Sequence, residues 1–137
     1  MKKKIAILGS TGSIGTTSLK IIEKKLNLFK IELLSANKNY NKIYRQIIKF
    51  KPRYFIVTNN KIFLKIKKKF KNKKTKILNN YKQILFSKKK IDITIASIPG
   101  IAGLEPTINF TKKSKKILLA NKESIICGWQ IISKLGK

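Results

Sequence analysis

Residues 9–15 read Gly9-Ser10-Thr11-Gly12-Ser13-Ile14-Gly15, and they directly follow a four-residue apolar run, Ile5–Leu8. A short apolar run that ends at a glycine is typical of a buried parallel strand. After the loop, the apolar spacing predicts a helix whose core face is Ile14, Ser18, Ile21 and Ile22. The three glycines therefore lie between a strand and a helix, where they allow a sharp turn and a close approach of the backbone to a phosphate.

This glycine loop has two alternatives to dinucleotide binding. A P-loop needs a lysine directly after its last glycine, whereas Thr16 follows Gly15, so the sequence excludes a P-loop. The other alternative is a tight strand–helix turn that binds nothing. A strand before the loop, a helix after it and three glycines in register favour dinucleotide binding.

The rest of the chain alternates short apolar runs with helical stripes. The predicted strands are Ile5–Leu8, Ile31–Leu34, Tyr54–Val57, Lys76–Leu78, Ile91–Ala96 and Ile117–Leu119. The predicted helix faces after the first helix are Tyr40, Ile43, Tyr44, Ile47 and Ile48; Ile62, Phe63, Ile66 and Phe70; Tyr81, Ile84 and Leu85; and Ile125, Ile126, Trp129, Ile132 and Leu135. This alternation predicts an α/β fold, a Rossmann-like doubly wound and mainly parallel sheet, as a single domain over 1–137. Such sheets bind ligands at the carboxyl ends of their strands.

The residues after the second strand bear on the choice of cofactor. A site for NAD usually places an acidic side chain here to bind the ribose 2′-hydroxyl. This chain has Asn37, Lys38 and Asn39 instead, with no acid. A cation and amide groups suit a 2′-phosphate, which favours NADP(H). The alternative is that Lys38 is a solvated loop lysine in a lysine-rich chain.

Two further strand ends carry polar or glycine-rich segments. Gly100 and Gly103 follow the fifth strand, and Ala120-Asn121-Lys122-Glu123-Ser124 follows the sixth. Asn121 is a good N-cap, and Glu123 lies in the first turn, where the helix dipole favours an anion. Taken alone, these segments are explained by a strand–helix connection and by helix capping.

The charge of the chain is extreme, with 33 Lys and Arg against 5 Asp and Glu and a formal net charge of +28. Such a balance suits a nucleic-acid-binding protein. However, only Arg45 and Arg53 are arginines, and arginine is the residue favoured for bidentate contacts to bases and phosphates. The lysines are also spread over the whole chain, which a compositional bias would explain. A basic module that binds polyanions through Lys65–Lys76 stays an alternative function, and we expect no specific nucleic-acid partner.

Several kinds of chemistry are missing from the sequence. There is no histidine, and the five carboxylates are well separated along the chain. We therefore expect no metal site and no catalytic residue in this chain. The apolar runs are too short for a membrane span or a signal peptide, so we expect a soluble, cytoplasmic protein without a membrane partner. Cys127 is the only cysteine, which rules out an intrachain disulfide.

Four segments in combination resemble the 1-deoxy-D-xylulose 5-phosphate reductoisomerase family of the non-mevalonate isoprenoid pathway. They are Gly-Ser-Thr-Gly-Ser-Ile-Gly at 9–15, Asn-Lys-Asn at 37–39, Gly-Ile-Ala-Gly-Leu at 100–104 and Leu-Leu-Ala-Asn-Lys-Glu-Ser at 118–124. They occur in order and at fitting distances, and the resemblance spans the chain from Met1 to Lys137. Many oxidoreductases share a loop like the first, whereas the Ala-Asn-Lys-Glu-Ser block is much more specific.

The resemblance implies a role for each matching residue. Thr11, Gly12, Ser13 and Ile14 would wrap the pyrophosphate and the adjoining ribose of NADPH. Asn37, Lys38 and Asn39 match the 2′-phosphate loop, although the family usually has glycine where Asn37 stands. Asn121 and Glu123 would lie near the nicotinamide half, and Lys122 would contact the sugar-phosphate substrate.

The family converts 1-deoxy-D-xylulose 5-phosphate into 2-C-methyl-D-erythritol 4-phosphate with NADPH. A divalent metal, Mn or Mg, is held by carboxylates that lie beyond position 137 in the family. The resemblance therefore implies that this chain is an N-terminal, NADPH-binding fragment of a larger enzyme and is inactive alone. The family also suggests a homodimer.

Overall fold

A computed structural model describes residues 1–135 and shows a six-stranded sheet in which every strand pairing is parallel. The strands are β1 (Lys3–Leu8), β2 (Phe29–Ala36), β3 (Tyr54–Val57), β4 (Lys76–Leu78), β5 (Ile91–Ala96) and β6 (Ser114–Leu119). The helices are α1 (Ser13–Glu23), α2 (Tyr40–Phe50), α3 (Asn60–Lys69), α4 (Lys82–Leu85), α5 (Leu104–Lys113) and α6 (Lys122–Leu135), with a 3₁₀ turn at Ile101–Gly103. The predicted domain span of 1–137 includes two residues beyond those described.

The strand order in the sheet is β4-β3-β2-β1-β5-β6. Strand β1 is therefore central, and its last residue, Leu8, pairs with Ser35 of β2 on one side and with Ala96 of β5 on the other. The chain winds away from β1 in both directions, which makes the carboxyl end of β1 the point where the strand order reverses. The predicted fold class, a Rossmann-like doubly wound parallel sheet, is confirmed.

Hydrophobic side chains cover both faces of the sheet. Along β1 they alternate, so that Ile5 and Ile7 join a core with α1, α2 and α3, whereas Ala6 and Leu8 join a second core with α4 and α5. Each fully buried Leu, Ile or Phe stabilises the fold by roughly 1.5–3 kcal/mol. Because both faces are covered, the strands read as continuous apolar runs rather than alternating ones.

The predicted core face of α1 is largely wrong, because only Ile22 of its four members is buried. Ile14 and Ile21 are 46% and 58% exposed, and the buried positions are Gly15, Leu19 and Ile22. A Cβ atom on Gly15 would overlap the backbone of Gly9 and of Ser10. Gly15 must therefore face the β1–α1 loop, and this contact sets the rotation of the helix.

The predicted core face of α6 is also wrong. Of its five members only Ile132 is buried, and Ile126 and Trp129 are 78% and 53% exposed. The buried face is Ser124, Gly128 and Ile132. A Cβ atom on Gly128 would lie 2.5 Å from Cδ1 of Leu104, so α5 packs closely against the glycine. Apart from Ile132 and the half-buried Leu135, the large apolar side chains of α6 are exposed.

The other three predicted helix faces are largely confirmed. Ile43, Ile47, Ile66, Phe70 and Ile84 are buried as predicted, whereas Ile48 of α2 is half exposed. Within residues 1–135, no helix is both long enough and apolar enough to cross a membrane.

Candidate functional site

A cleft of about 430 Å³ opens at the carboxyl edge of the sheet, the edge at which the sequence predicts a ligand. Cofactor and small-molecule sites are typically about 300–1,000 Å³, so the cleft is large enough for such a ligand. It is lined by the last two residues of β2, by residues that follow five of the six strands and by one residue of α5: Gly9, Thr11, Gly12, Ser35, Ala36, Asn37, Thr58, Tyr81, Ile98, Pro99, Ala102 and Pro106.

The glycine loop forms one wall of the cleft. Gly9 has φ +82°, and a Cβ atom there would lie 2.8 Å from the carbonyl oxygen of Ser97. The turn is held from both neighbouring strands, since the Gly9 N–H donates to the Ser35 carbonyl (3.0 Å) and the Ser97 hydroxyl donates to the Leu8 carbonyl (2.8 Å). The loop is shorter than its seven-residue motif, because Ser13, Ile14 and Gly15 already form the first turn of α1.

The N-terminus of α1 differs from those of α2 and α3. The N-cap side chains Asn39 and Asn59 accept hydrogen bonds from the backbone N–H groups of Lys42 and Ile62, each at 3.1 Å. Gly12 caps α1 and has no side chain to do the same. The first-turn N–H groups of α1 therefore lie beside the cleft without a side-chain cap. Such N–H groups and the positive end of the helix dipole bind phosphate.

A buried pair of polar side chains fixes the glycine loop to α2. The Ser10 hydroxyl donates to Oε1 of Gln46 (2.7 Å), and Nε2 of Gln46 donates to the Ser10 carbonyl (2.9 Å). Ser10 is fully buried and Gln46 is 7% exposed. Sequence reasoning missed Gln46. Its only signal was a polar residue beside Ile43 and Ile47 on the buried face of α2.

Tyr81 forms part of the cleft wall and was predicted only as a core residue. Its hydroxyl donates to Oγ of Ser35 (3.0 Å), and its ring packs edge-on against Phe110. Burial raises the pKa of the Tyr81 phenol above its usual range, although the hydrogen bond to Ser35 partly opposes this. The phenol is therefore a neutral donor at physiological pH.

The loop after β2 holds Asn37, Lys38 and Asn39. Asn37 lines the cleft, and its Oδ1 accepts a hydrogen bond from the Thr58 hydroxyl (3.1 Å). Within residues 1–135, Lys51 is the only residue other than glycine with positive φ. Asn37 therefore adopts ordinary backbone geometry, and this position does not require the glycine that the family usually has. Lys38 is exposed, and Asn39 caps α2.

Asn121 joins the two strand ends on the other side of β1. Its amide donates to the carbonyls of Ile98 and of Gly100, and its Oδ1 accepts from the Ser124 N–H (3.2 Å), so the predicted N-cap is confirmed. A Cβ atom on Gly103 would overlap the Asn121 amide. Asn121 thus supports the Ile98 wall of the cleft from behind.

The structure gathers the predicted site residues at one edge of the sheet without bringing all of them into the cleft. Thr11, Gly12 and Asn37 line it, and Asn121 contacts its wall. Lys122 is exposed and Glu123 is half-buried in the first turn of α6, beyond β6, and neither lines the cleft.

Charges on the surface lie mostly away from the cleft. The lysines of segment 65–76 are exposed and lie on α3, on β4 and on the turn between them, at the far edge of the sheet from β6. None of them lines the cleft. In the described part of the chain, no three His, Cys, Asp or Glu side chains come together as a metal site would require.

Comparison with known proteins gives a consistent result. The family model for 1-deoxy-D-xylulose 5-phosphate reductoisomerase matches residues 5–128. Curated relatives of that name from Pelagibacter ubique and Buchnera aphidicola are 49% and 45% identical over 96% and 92% of this chain. The chain spans only 35% and 33% of their lengths. A solved structure of DOX-P reductoisomerase with NADPH, fosmidomycin and magnesium superposes with a TM-score of 0.88 at 30% identity, covering 98% of this chain and 34% of that one.

Proposed function

This chain belongs to the 1-deoxy-D-xylulose 5-phosphate reductoisomerase family, and from that premise we propose that its cleft binds NADPH. The observation that carries the proposal is the N-terminus of α1, which lies beside the cleft and is capped by Gly12 without a side-chain hydrogen bond. The solved relative that contains NADPH supports the choice of ligand. When bound, NADPH supplies a hydride.

In this proposal each part of the cofactor has its own residues. The N–H groups at Thr11, Gly12, Ser13 and Ile14 bind the pyrophosphate at the positive end of α1. The residues Asn37, Lys38 and Asn39 bind the ribose 2′-phosphate, because a cation and amide donors replace the acid of an NAD site. Asn121 and Glu123 lie on the nicotinamide side of β1.

The proposal extends to the whole protein. Reductive isomerisation of 1-deoxy-D-xylulose 5-phosphate needs the parts of the relatives that this chain does not span, and Lys122 contributes a cation for the sugar phosphate. A divalent metal does not fit the described residues, because they bring no group of ligands together. We place its ligands outside residues 1–135 and derive no step through it. A homodimer in the cytoplasm completes the proposal.

Calorimetric titration of the chain with NADPH and with NADH tests the proposal. Charge-assisted hydrogen bonds to phosphate contribute about 1.5–3 kcal/mol each, so NADPH should bind roughly ten- to a hundredfold more tightly than NADH. Lys38→Ala should reduce that preference and leave NADH affinity unchanged. Lys20→Ala, an exposed lysine in the last turn of α1, is the matched control. Equal affinity of the unmutated chain for both cofactors would refute the assignment.

A further inference from the structure

The ammonium group of Lys42 lies between the two loops assigned to the phosphates of the cofactor. Lys42 is in the first turn of α2, and its backbone N–H donates to Oδ1 of the N-cap Asn39 (3.1 Å). Its side chain reaches away from the helix, and Nζ donates to the Thr11 carbonyl (3.2 Å). Thr11 lines the cleft, so a cation of α2 is held within hydrogen-bonding distance of the cleft wall.

The Lys42 ammonium has capacity for a further ligand. An ammonium has three N–H donors, and the Thr11 carbonyl occupies one of them. The ion pairs of residues 1–135 are Lys49–Glu23, Arg53–Glu32 and Lys115–Asp92, and none includes Lys42. The positive charge of Lys42 therefore has no carboxylate partner among residues 1–135. It lies beside the N-terminus of α2, where the helix dipole adds a positive partial charge.

Lys42 and Lys38 differ in how well they are positioned. Among residues 1–135, no hydrogen bond or ion pair fixes the Lys38 side chain, whereas Lys42 is fixed at Nζ by Thr11. A cation that is already held in place loses less conformational entropy when a ligand binds. Lys42 is thus the better-prepared of the two lysines for an anion at this end of the cleft.

We infer that Lys42 binds the 2′-phosphate of NADPH and shares the selection of NADPH over NADH with Lys38. The inference rests on the proposed function. It assigns Lys42 to the 2′-phosphate rather than the pyrophosphate because α2 begins at the carboxyl end of β2, where such folds recognise the ribose 2′ position. The pyrophosphate lies at α1, whose N-terminal N–H groups supply its donors.

Titration of five proteins with NADPH and NADH tests the inference: the unmutated chain, Lys42→Ala, Lys42→Arg, the double variant Lys38→Ala/Lys42→Ala and the control Lys20→Ala. Lys42 is exposed in a helix, so alanine should preserve the fold, which circular dichroism would verify. Lys42→Ala should weaken NADPH binding by about tenfold or more, the effect of a lost charge-assisted contact. NADH affinity should match that of the control, and Lys42→Arg should retain most of the NADPH affinity. Lys38→Ala/Lys42→Ala should bind both cofactors equally.

The outcomes separate the two proposals. Failure of the unmutated chain to bind either cofactor overturns the proposed function and this inference with it. If the unmutated chain binds NADPH and Lys42→Ala has the same NADPH affinity as Lys20→Ala, the inference alone is overturned. Equal losses for NADPH and NADH in Lys42→Ala would also overturn it, because the cation would then serve the pyrophosphate.

Discussion

Replacing Gln46 by leucine tests how firmly the glycine loop depends on α2. The substitution nearly preserves side-chain volume but removes both hydrogen bonds to Ser10, at 2.7 and 2.9 Å. Water cannot readily replace them, since Ser10 is fully buried. The hydroxyl and the carbonyl of Ser10 would each lose a partner, and a buried unsatisfied polar group costs about 1–3 kcal/mol. The free energy of unfolding should therefore fall by about 2–6 kcal/mol, a large share of the roughly 5–15 kcal/mol of an ordinary domain.

Urea unfolding followed by circular dichroism measures this loss. Arg45→Leu is the matched control, because Arg45 precedes Gln46 on α2 and is exposed. A second control uses coupling: adding Ser10→Ala to Gln46→Leu removes the stranded hydroxyl and should recover part of the lost stability. NADPH affinity should also fall in Gln46→Leu, since the loop loses its attachment.

A Gln46→Leu protein as stable as Arg45→Leu would contradict this role of Gln46. It would show that the Ser10 polar groups find other partners at no cost. If Ser10→Ala/Gln46→Leu were less stable than Gln46→Leu, the unpaired Ser10 hydroxyl would not be the source of the lost stability.

Four further predictions concern the rest of the chain. The Lys115 ammonium, and then the Lys4 N–H, hold the pKa of Asp92 below its usual range, so this carboxylate stabilises the fold above about pH 4. That contribution is lost as the pH falls through the folded-state pKa, and acid unfolding of Asp92→Asn should show a shallower pH dependence than the unmutated chain; equal slopes would contradict it. Gly15→Ala should lower the free energy of unfolding, measured with urea, by about 1–3 kcal/mol, because the new Cβ would overlap the backbone of Gly9 and of Ser10. Unchanged stability would show that α1 can shift to make room for it. The chain alone, given 1-deoxy-D-xylulose 5-phosphate with Mn or Mg, should not oxidise NADPH, and a metal-dependent loss of absorbance at the NADPH band would reverse our placement of the metal ligands. DNA binding should weaken with salt at a log–log slope near −0.9 per neutralised phosphate and vanish near physiological salt; salt-resistant binding, abolished when glutamine replaces Lys67, Lys68, Lys69, Lys71, Lys73 and Lys74, would favour the basic module.

The strands were largely predictable because their core residues are continuous apolar runs. Tyr54–Val57, Lys76–Leu78 and Ile91–Ala96 have the same bounds in the sequence prediction and in the structure. Strand β1 begins earlier than predicted, at Lys3, whose backbone pairs with Phe29 although its side chain is exposed. Hydropathy reports burial of side chains, so it misses strand residues whose side chains face solvent.

The rotation of the helices was not predictable from hydropathy. Gly15 and Gly128 set the buried faces of α1 and α6 through close backbone and side-chain contacts. Glycine adds nothing to an apolar stripe, so counting apolar residues placed Ile14 and Trp129 in the core when both are largely exposed.

The candidate site was partly predictable for a related reason. Residues that follow a strand can be read along the chain, as Thr11 and Asn37 were. Gln46 and Tyr81 reach the site from 36 and 46 residues away from their partners Ser10 and Ser35. Such contacts depend on how elements pack, and no local spacing in the sequence reports them.

The central position of β1 has a consequence for the order in which the cleft can form during synthesis. Strand β1 is synthesised first, and its two neighbouring strands are synthesised at different times. Strand β2 follows within about thirty residues, whereas Ile93 of β5, which pairs with Ile5, and Ser97, whose hydroxyl donates to the Leu8 carbonyl, are synthesised much later. A nascent chain can assemble β1 to β4 and their helices while β1 still has an open edge, and such unpaired edges favour aggregation. The cleft beside the glycine loop gains its Ile98 wall only after Ser97 and Ile98 have left the ribosome. Cofactor binding should therefore begin late in translation, and stalled chains ending before β5 should fail to retain NADPH although they contain the whole glycine loop.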